Sequence, residues 1–257
     1  MIWTDTHTHL FLSEFSKDVQ DVVNRAIEAG VSRLFVPNID ATTLSDLLSF
    51  TEEYKEFAFP MIGLHPGSVR DGWKKDLEFL QKDFDKANFV AIGEIGIDLF
   101  WAENKKFENE QKDVFAYQVN FAIEKKLPIV IHTRDSFDVT YDVLKSVYKP
   151  GLKGVFHCFS GEYDDALKVL DLGFYLGIGG VVTFKNSKLG EIVEKVPLTS
   201  IVLETDAPFL TPVPFRGKRN ESSYIPIIGK KIAEIKKLPI VKVASITTQN
   251  SVDLFGV

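Results

Sequence analysis

Two of the chain's five histidines stand two residues apart in Asp5-Thr6-His7-Thr8-His9, directly behind the N-terminus. In an extended strand, side chains at i and i+2 leave the same face, so both imidazoles would aim at one point, which suits a metal ion. The pattern is short, and by itself it fits a chance pair on a solvated segment as well. The remaining histidines are His65 in Gly-Leu-His-Pro, His132 in Ile-Val-Ile-His-Thr-Arg and His157 in Val-Phe-His-Cys-Phe-Ser-Gly. Two carboxylates sit in similar places, Glu94 in Ile-Gly-Glu-Ile-Gly-Ile-Asp and Asp206 in Leu-Glu-Thr-Asp-Ala-Pro. All seven groups fall at the end of a short apolar run.

Those runs are the elements that must position them. Ile2–His9, Val31–Ile39, Phe57–His65, Phe89–Asp98, Pro128–Thr133, Gly154–Ser160, Phe174–Gly180 and Ile201–Asp206 read as strands. Several are apolar on both faces, as parallel strands covered on both sides are. Between them run helical stripes: Val19, Val22, Val23, Ala26 and Ile27 before Gly30, then Phe115, Val119, Ala122 and Ile123 before Leu127-Pro128, then Tyr163, Ala166, Leu167 and Leu170 before Gly173. Residues after Asp206 leave a long eighth loop, a helix near Tyr224–Lys237 and a terminal helix near Val241–Phe255. Eight strand–helix repeats in 257 residues predict an α/β fold, a (β/α)8 TIM barrel forming one domain over residues 1–257. An open doubly wound sheet is the second architecture this alternation permits. In a barrel every strand end listed above opens onto one face, and that face carries the active site.

Composition narrows the classes. A net charge of −6 argues against a protein that coats nucleic acid by bulk charge, though not against a local basic patch. Cys158 is the single cysteine, so there is no disulfide framework and a reducing compartment is expected. No apolar run approaches the roughly 18 residues of a membrane span, and the start lacks the pattern of a signal peptide. The expectation is a cytoplasmic monomer with no membrane and no stable protein partner.

Five histidines and two carboxylates on near-apolar strand ends would each cost several kcal/mol if buried unpaired, whereas a metal cluster satisfies them together. Nitrogen and oxygen donors suit Zn, Mn, Ni, Fe or Mg, and nothing here is soft enough to demand copper. His7, His9, Glu94, His132, His157 and Asp206 are too many ligands for one tetrahedral ion. Two divalent ions are therefore expected, with Glu94 bridging them at roughly 3.5–4 Å.

The ordered set Asp-Thr-His-Thr-His, Gly-Leu-His-Pro, Gly-Glu-Ile-Gly-Ile-Asp, His-Thr-Arg, His-Cys-Phe-Ser-Gly, Leu-Glu-Thr-Asp-Ala-Pro-Phe-Leu-Thr-Pro and Arg-Gly-Lys-Arg-Asn resembles the TatD-related deoxyribonucleases, metal-dependent hydrolases of the amidohydrolase kind. The resemblance runs from Asp5 to about Phe255. It implies a TIM barrel, a two-metal site and hydrolysis of DNA phosphodiesters, often from the 3′ end, and it matches His7, His9, Glu94, His132, His157 and Asp206 to the family's ligands. It also favours contact between His65 and the scissile phosphate, with a structural hydrogen bond as the alternative. The chain departs from the family where Asn220-Glu221 runs into Ser222-Ser223 instead of Glu-Pro, and Phe100–Phe107 looks individual to this chain.

On this reading His7, His9 and Asp206 hold one ion and His132 and His157 the other, with Glu94 between them. Asp206 also orients or deprotonates the attacking water. Glu204, two residues before Asp206, orients water or a ligand, or forms a structural ion pair. Asp5 is either an acceptor for a ligand imidazole or a polar start to the first strand. Arg134, Arg216 and Lys218 are candidates for binding substrate phosphate, with a solvated charge run at Arg216–Arg219 as the alternative. Cys158, next to His157, should face away from the site as a buried packing thiol. Phe100, Trp101 and Phe215 either stack on bases or pack the rim.

The same donors would serve a second class, a metal-dependent ester or amide hydrolase such as a D-aminoacyl-tRNA deacylase or a small-molecule amidohydrolase. Amidohydrolases that bridge their ions with a modified lysine carry it on the fourth strand, and Phe89–Asp98 has none. A scaffold that keeps its metal only for stability is a third class, against which the complete donor set argues.

Overall fold

The computed structural model describes residues 1–257. Parallel strands β1 (Trp3–Asp5), β2 (Val31–Pro37), β3 (Ala58–Met61), β4 (Ile92–Asp98), β5 (Ile129–Arg134), β6 (Gly154–Phe156), β7 (Tyr175–Ile178) and β8 (Ile201–Leu203) lie side by side in chain order. They form ladders β1-β2-β3 and β4-β5-β6-β7-β8, and parallel bridges Ile62–Ile92 and Thr8–Ala207 join the ladders at both seams. This is the TIM-barrel arrangement, with one strand in each expected segment. The ladders are shorter than the apolar runs. Past Asp5, for example, the chain stays beside its neighbours through scattered bonds, Thr6 N–H to Leu203 O, Thr8 N–H to Phe35 O, Asp206 N–H to His7 O and His9 N–H to Ala207 O.

Helices α1 (Val19–Glu28), α2 (Leu44–Glu53), α3 (Trp73–Asp76), α4 (Glu78–Asp83), α5 (Ala102–Lys105), α6 (Glu108–Lys125), α7 (Phe137–Val147), α8 (Tyr163–Asp171), α9 (Leu189–Lys195), α10 (Ile225–Lys236) and α11 (Ile240–Phe255) occupy the connections and the C-terminal end. Val22, Val23 and Ala26 bury one stripe of α1, which ends before Gly30 at φ +86°, a left-handed turn that glycine adopts without a Cβ penalty.

The core has two parts, and strand alternation explains both. Outward residues such as Ile129, Ile131, Phe156, Leu176, Ile201 and Leu203 pack between strands and helices. Inward residues Phe35, Val130, Val155 and Val202 fill the barrel with Leu254 and Phe255 from α11, Phe255 stacking on Phe35 at 4.0 Å. Two residues further along the same faces come His132, His157 and Glu204. An apolar plug thus supports a polar layer at the C-terminal mouth.

Buried glutamines on α6 fix two strand ends. Gln118 accepts from Leu64 N–H at 2.7 Å and donates to Leu64 O at 3.0 Å. One helical repeat earlier, Gln111 accepts from Asp98 N–H at 2.8 Å and donates to Asn104 O at 2.9 Å. Strand ends that would otherwise bury unpaired backbone groups are satisfied, and His65 and Asp98 are held in place. No helix is long and apolar enough to cross a membrane.

Candidate metal centre

All six expected donors meet at the mouth of the barrel. His7 Nε2 lies 3.2 Å from His9 Nε2 and 3.1 Å from Glu94 Oε2. Asp206 Oδ1 is 3.7 Å from His7 Nε2 and 3.6 Å from His9 Nε2. The other Glu94 oxygen, Oε1, is 2.6 Å from His132 Nδ1 and 2.7 Å from His157 Nε2, and those two nitrogens are 3.3 Å apart. Glu94 therefore turns one oxygen to each half of the cluster.

Its position depends on an irregularity. The β4–β5 register shifts between Ile92 and Ile95, and Gly96 pairs with His132. Strict alternation from the inward Ala91 would send Glu94 outward; the shift turns Ile95 and Ile97 into the outer core and Glu94 inward. Gly96 has φ +149°, and a Cβ there would collide with the His132 carbonyl, so only glycine lets the strands approach this closely.

The donors are almost wholly buried, and their protonation is set by one another. Burial would raise the Glu94 carboxyl, but His157, His65 and His7 outweigh it and hold it well below its ordinary range. Burial opposes charge on His157, yet Glu94 and Glu204 pull it well above the usual imidazole value. Burial lowers His7, with His157 adding to the effect. Asp206 stays below its ordinary value because His9 and His7 overcome the cost of burial.

Several neighbours fix ring orientation. Asp98 Oδ2 lies 3.2 Å from His132 Nε2, so a proton there leaves Nδ1 free to face the cluster. Burial would raise Asp98, but His132 prevails and brings it to about 2. Sequence reading assigned Asp98 no role, although it lies four residues beyond Glu94 on the same strand. Glu204 sits behind His157, 3.6 Å from Nδ1, and accepts from Cys158 N–H. It does not line the open cavity. Asp5 meets no imidazole: Oδ1 accepts from His7 N–H at 3.3 Å and Thr205 N–H at 2.9 Å, and Oδ2 from Thr205 Oγ1 at 2.6 Å, tying the ends of β1 and β8.

The arrangement fits metal ions. Donor atoms about 2.0–2.1 Å from a tetrahedral ion lie about 3.3 Å apart, and the nitrogens and oxygens of this cluster are spaced in that range. Nε2 atoms of His7 and His9 face each other, while the buried Nδ1 of each has no hydrogen-bond partner. Subsets within 4.8 Å, namely His7-His157-Asp206, His7-His9-Glu94 and His65-Glu94-His132, share members, so the donors form one continuous cluster.

His65 differs from the rest. Its Nδ1 accepts from Gly67 N–H at 2.9 Å, so the neutral ring carries its proton on Nε2, which points at Glu94 Oε1 from 3.5 Å. It presents a donor, not a lone pair, to the centre.

A cavity of about 1010 Å³ opens over the cluster, with His65, Arg70, Trp101 and Arg134 on its walls. Sequence reading missed Arg70. Arg216 and Lys218 are absent from this lining: the Arg216 guanidinium lies 3.9 Å from the Phe184 ring and the Lys218 ammonium 5.6 Å from Phe215. Phe215 stacks on Tyr224 at 4.7 Å, away from the cavity. Cys158 corrects its expectation. β6 ends at Phe156, Cys158 takes φ +46°, and alternation no longer applies, so the residue lines the cavity instead of packing behind it. Burial and the neighbouring carboxylates push its thiol well up.

The eighth loop is tied down despite Ser222-Ser223. Asn220 Nδ2 donates to Thr205 O at 2.8 Å and Phe209 O at 2.6 Å, and Glu221 accepts Arg25 through two nitrogens, the shorter contact 2.6 Å. Arg219 is spent on Asp18, at 2.7 Å.

A family model described as TatD related DNase matches residues 4–256. The chain belongs to the TatD-related DNase family. It is 39% identical over 254 residues to YabD of Bacillus subtilis (strain 168), named an uncharacterized metal-dependent hydrolase, covering 98% of each chain. Escherichia coli (strain K12) YjjV, named in the same way, is 33% identical over 256 residues, covering 98% of this chain and 97% of that one. The crystal structure of the TatD homolog YJJV from Escherichia coli k12 superposes with a TM-score of 0.93 at 32% identity, covering 99% of this chain and 98% of that chain. Membership makes this TatD-related chain a metal-dependent hydrolase, and its fold is that of its relatives.

Proposed function

We propose that the chain hydrolyses DNA phosphodiester bonds, removing nucleotides from 3′ ends, with two divalent ions held by His7, His9, Glu94, His132, His157 and Asp206. The carrying observation is Glu94, whose two oxygens each face a different set of imidazoles at the floor of an open cavity. Magnesium, zinc, manganese or nickel bound there would supply Lewis acidity and an activated water.

The protein's own groups do the rest. Asp206, ionised and facing His7 and His9, takes the proton of the attacking water. His65 Nε2–H donates to a nonbridging phosphate oxygen, and the Arg134 guanidinium on the same wall offsets phosphate charge. Asp98 holds the ring of His132, and the Glu204 carboxylate, 3.6 Å from His157 Nδ1, offsets charge on that ring. Arg216 and Lys218 serve the strand outside the cavity. The reading keeps the chain a cytoplasmic monomer of one domain.

The test is turnover of metal-reconstituted protein on end-labelled DNA beside aminoacyl-tRNA. Progressive loss of nucleotides from the 3′ end supports the reading. Deacylation with DNA left intact would transfer the site to the ester-hydrolase class.

A further inference from the structure

Trp101, Glu103 and Asn104 line the same cavity as His65 and come from Phe100–Phe107, the stretch that looked individual to this chain. Trp101 is 58% exposed and Phe100 42%, unusual for aromatic rings that a barrel mouth could bury. Their rings meet edge to face, 4.7 Å apart at 87°, and the Arg134 guanidinium lies 3.8 Å over Phe100 and 5.7 Å from Trp101. Arg134 and Trp101 line the cavity together with His132 and Asp98. An exposed indole, a cation and the metal donors thus share one space.

The wall is rigid. Phe100 N–H donates to Asp98 Oδ1 at 3.0 Å, the same carboxylate that orients His132. Gln111, wholly buried, ties the Asp98 amide to the Asn104 carbonyl, closing the segment at both ends. At the far end the Arg70 guanidinium lies 5.4 Å over Phe107 and 3.5 Å from Asn104 Oδ1. The backbone beneath the aromatic rings is tied before any substrate arrives, so ordering the chain there costs little on binding.

From this juxtaposition we infer that Trp101 is a stacking seat for an unpaired nucleobase beside the scissile phosphate, with Arg134 on that phosphate's flank; the inference rests on the reading of the chain as a DNA phosphodiesterase. The reacting phosphate must descend to donors buried on the cavity floor, which carries the base attached to it past the wall. Every base has a π-face, and stacking on an aromatic side chain tolerates any sequence. The neighbouring guanidinium meets the negative backbone while its own face rests on Phe100. A base inside a duplex has both faces covered, and a terminal pair offers only its outer face, so a single-stranded or frayed end fits this seat better than an intact duplex.

The test compares a short single-stranded oligonucleotide with one of equal length whose three 3′-terminal residues are abasic, using wild type, Trp101→Ala and Trp101→Phe. Equilibrium binding is measured by anisotropy and hydrolysis by end label. Wild type should bind the base-bearing strand about tenfold more tightly than the abasic one, within the range of one stacked base. Trp101→Ala should erase that preference while leaving abasic binding unchanged, and Trp101→Phe should keep most of it. Equal binding of the two strands by wild type, or a preference that survives Trp101→Ala, overturns the seat. Binding with the full preference but no hydrolysis of either strand would leave the seat standing and remove the phosphodiesterase reading. Hydrolysis of both strands at equal efficiency and affinity would do the reverse.

Discussion

Asp98 and Glu94 hold the His132 ring between them, Oδ2 of the first 3.2 Å from Nε2 and Oε1 of the second 2.6 Å from Nδ1. Both acids come from β4, so one strand supplies the carboxylate that faces the histidines and the carboxylate that orients one of them. Asp98 also accepts Phe100 N–H, which links the candidate metal donors to the cavity wall.

Removing Asp98 should therefore weaken metal binding without removing a donor. Partners of this kind are worth 10- to 100-fold in affinity or activity in other metal sites, and Asp98→Ala should lose roughly that much. Titration of metal-free protein with zinc or manganese measures it. Unchanged affinity would reduce Asp98 to a loop anchor.

The same pair sets an acid limit on the metal-free fold. Asp98 sits at about 2, below the 3.8 of the unfolded chain, and His132 is raised by its two carboxylates despite burial. A depressed carboxyl stabilises the fold above about pH 4 and loses that contribution as pH falls toward 2. A raised histidine contributes below its unfolded value and loses its contribution as pH climbs through the folded one. Metal-free wild type should exceed Asp98→Asn by up to about 2 kcal/mol above pH 4 while His132 stays protonated, the gap closing near pH 2 and again as His132 loses its proton. Urea unfolding across that range reads the difference; a gap that stayed constant would mean the carboxyl charge contributes nothing.

Glu94 and His65 should separate cleanly. Glu94→Ala leaves five imidazoles crowded without their anion, and metal content and hydrolysis should fall together. His65→Ala removes a donor that faces the site through Nε2–H, so turnover should drop while the ions remain. Elemental analysis of both variants beside activity decides. Full metal content in Glu94→Ala would withdraw its place between the ions.

Much of this site was legible because parallel strands end on one face: in a barrel, seven strand-end groups spread across 200 residues are brought to one mouth. The side chains of His132 and His157 follow from simple alternation, two residues beyond inward Val130 and Val155. Glu94 does not, because the register shift that turns it inward lies in a Gly-Glu pair whose letters do not reveal a bulge. Cys158 was misplaced for the related reason that alternation stops with the strand, at Phe156. Arg70 was missed because it reaches the cavity from a loop, where no period governs direction. Gln111 and Gln118 drew no assignment from the sequence, yet they close two strand ends. A buried glutamine can be told from a solvated one only once its partner is known.

Charge on the cavity wall and charge on the outer loop should have different signatures. Arg70 and Arg134 line the cavity, whereas Arg216 rests on Phe184 and Lys218 near Phe215 outside it. Contacts to phosphate give affinity that falls with salt, each contact adding about 0.7 to the slope for a single strand. Arg134→Ala should therefore weaken binding of a dinucleotide and of a 20-mer alike, because both must place a phosphate beside the same wall. Replacing Arg216 and Lys218 together should spare the dinucleotide, weaken the 20-mer and flatten its slope by about 0.7 to 1.4. Metal content should stay unchanged in both variants, since none of the three side chains is among the clustered donors. Binding of each oligonucleotide across a salt series distinguishes them. A 20-mer slope untouched by the loop replacements would make Arg216 and Lys218 solvated charges, leaving His65, Arg70, Arg134 and the ions as the phosphate site.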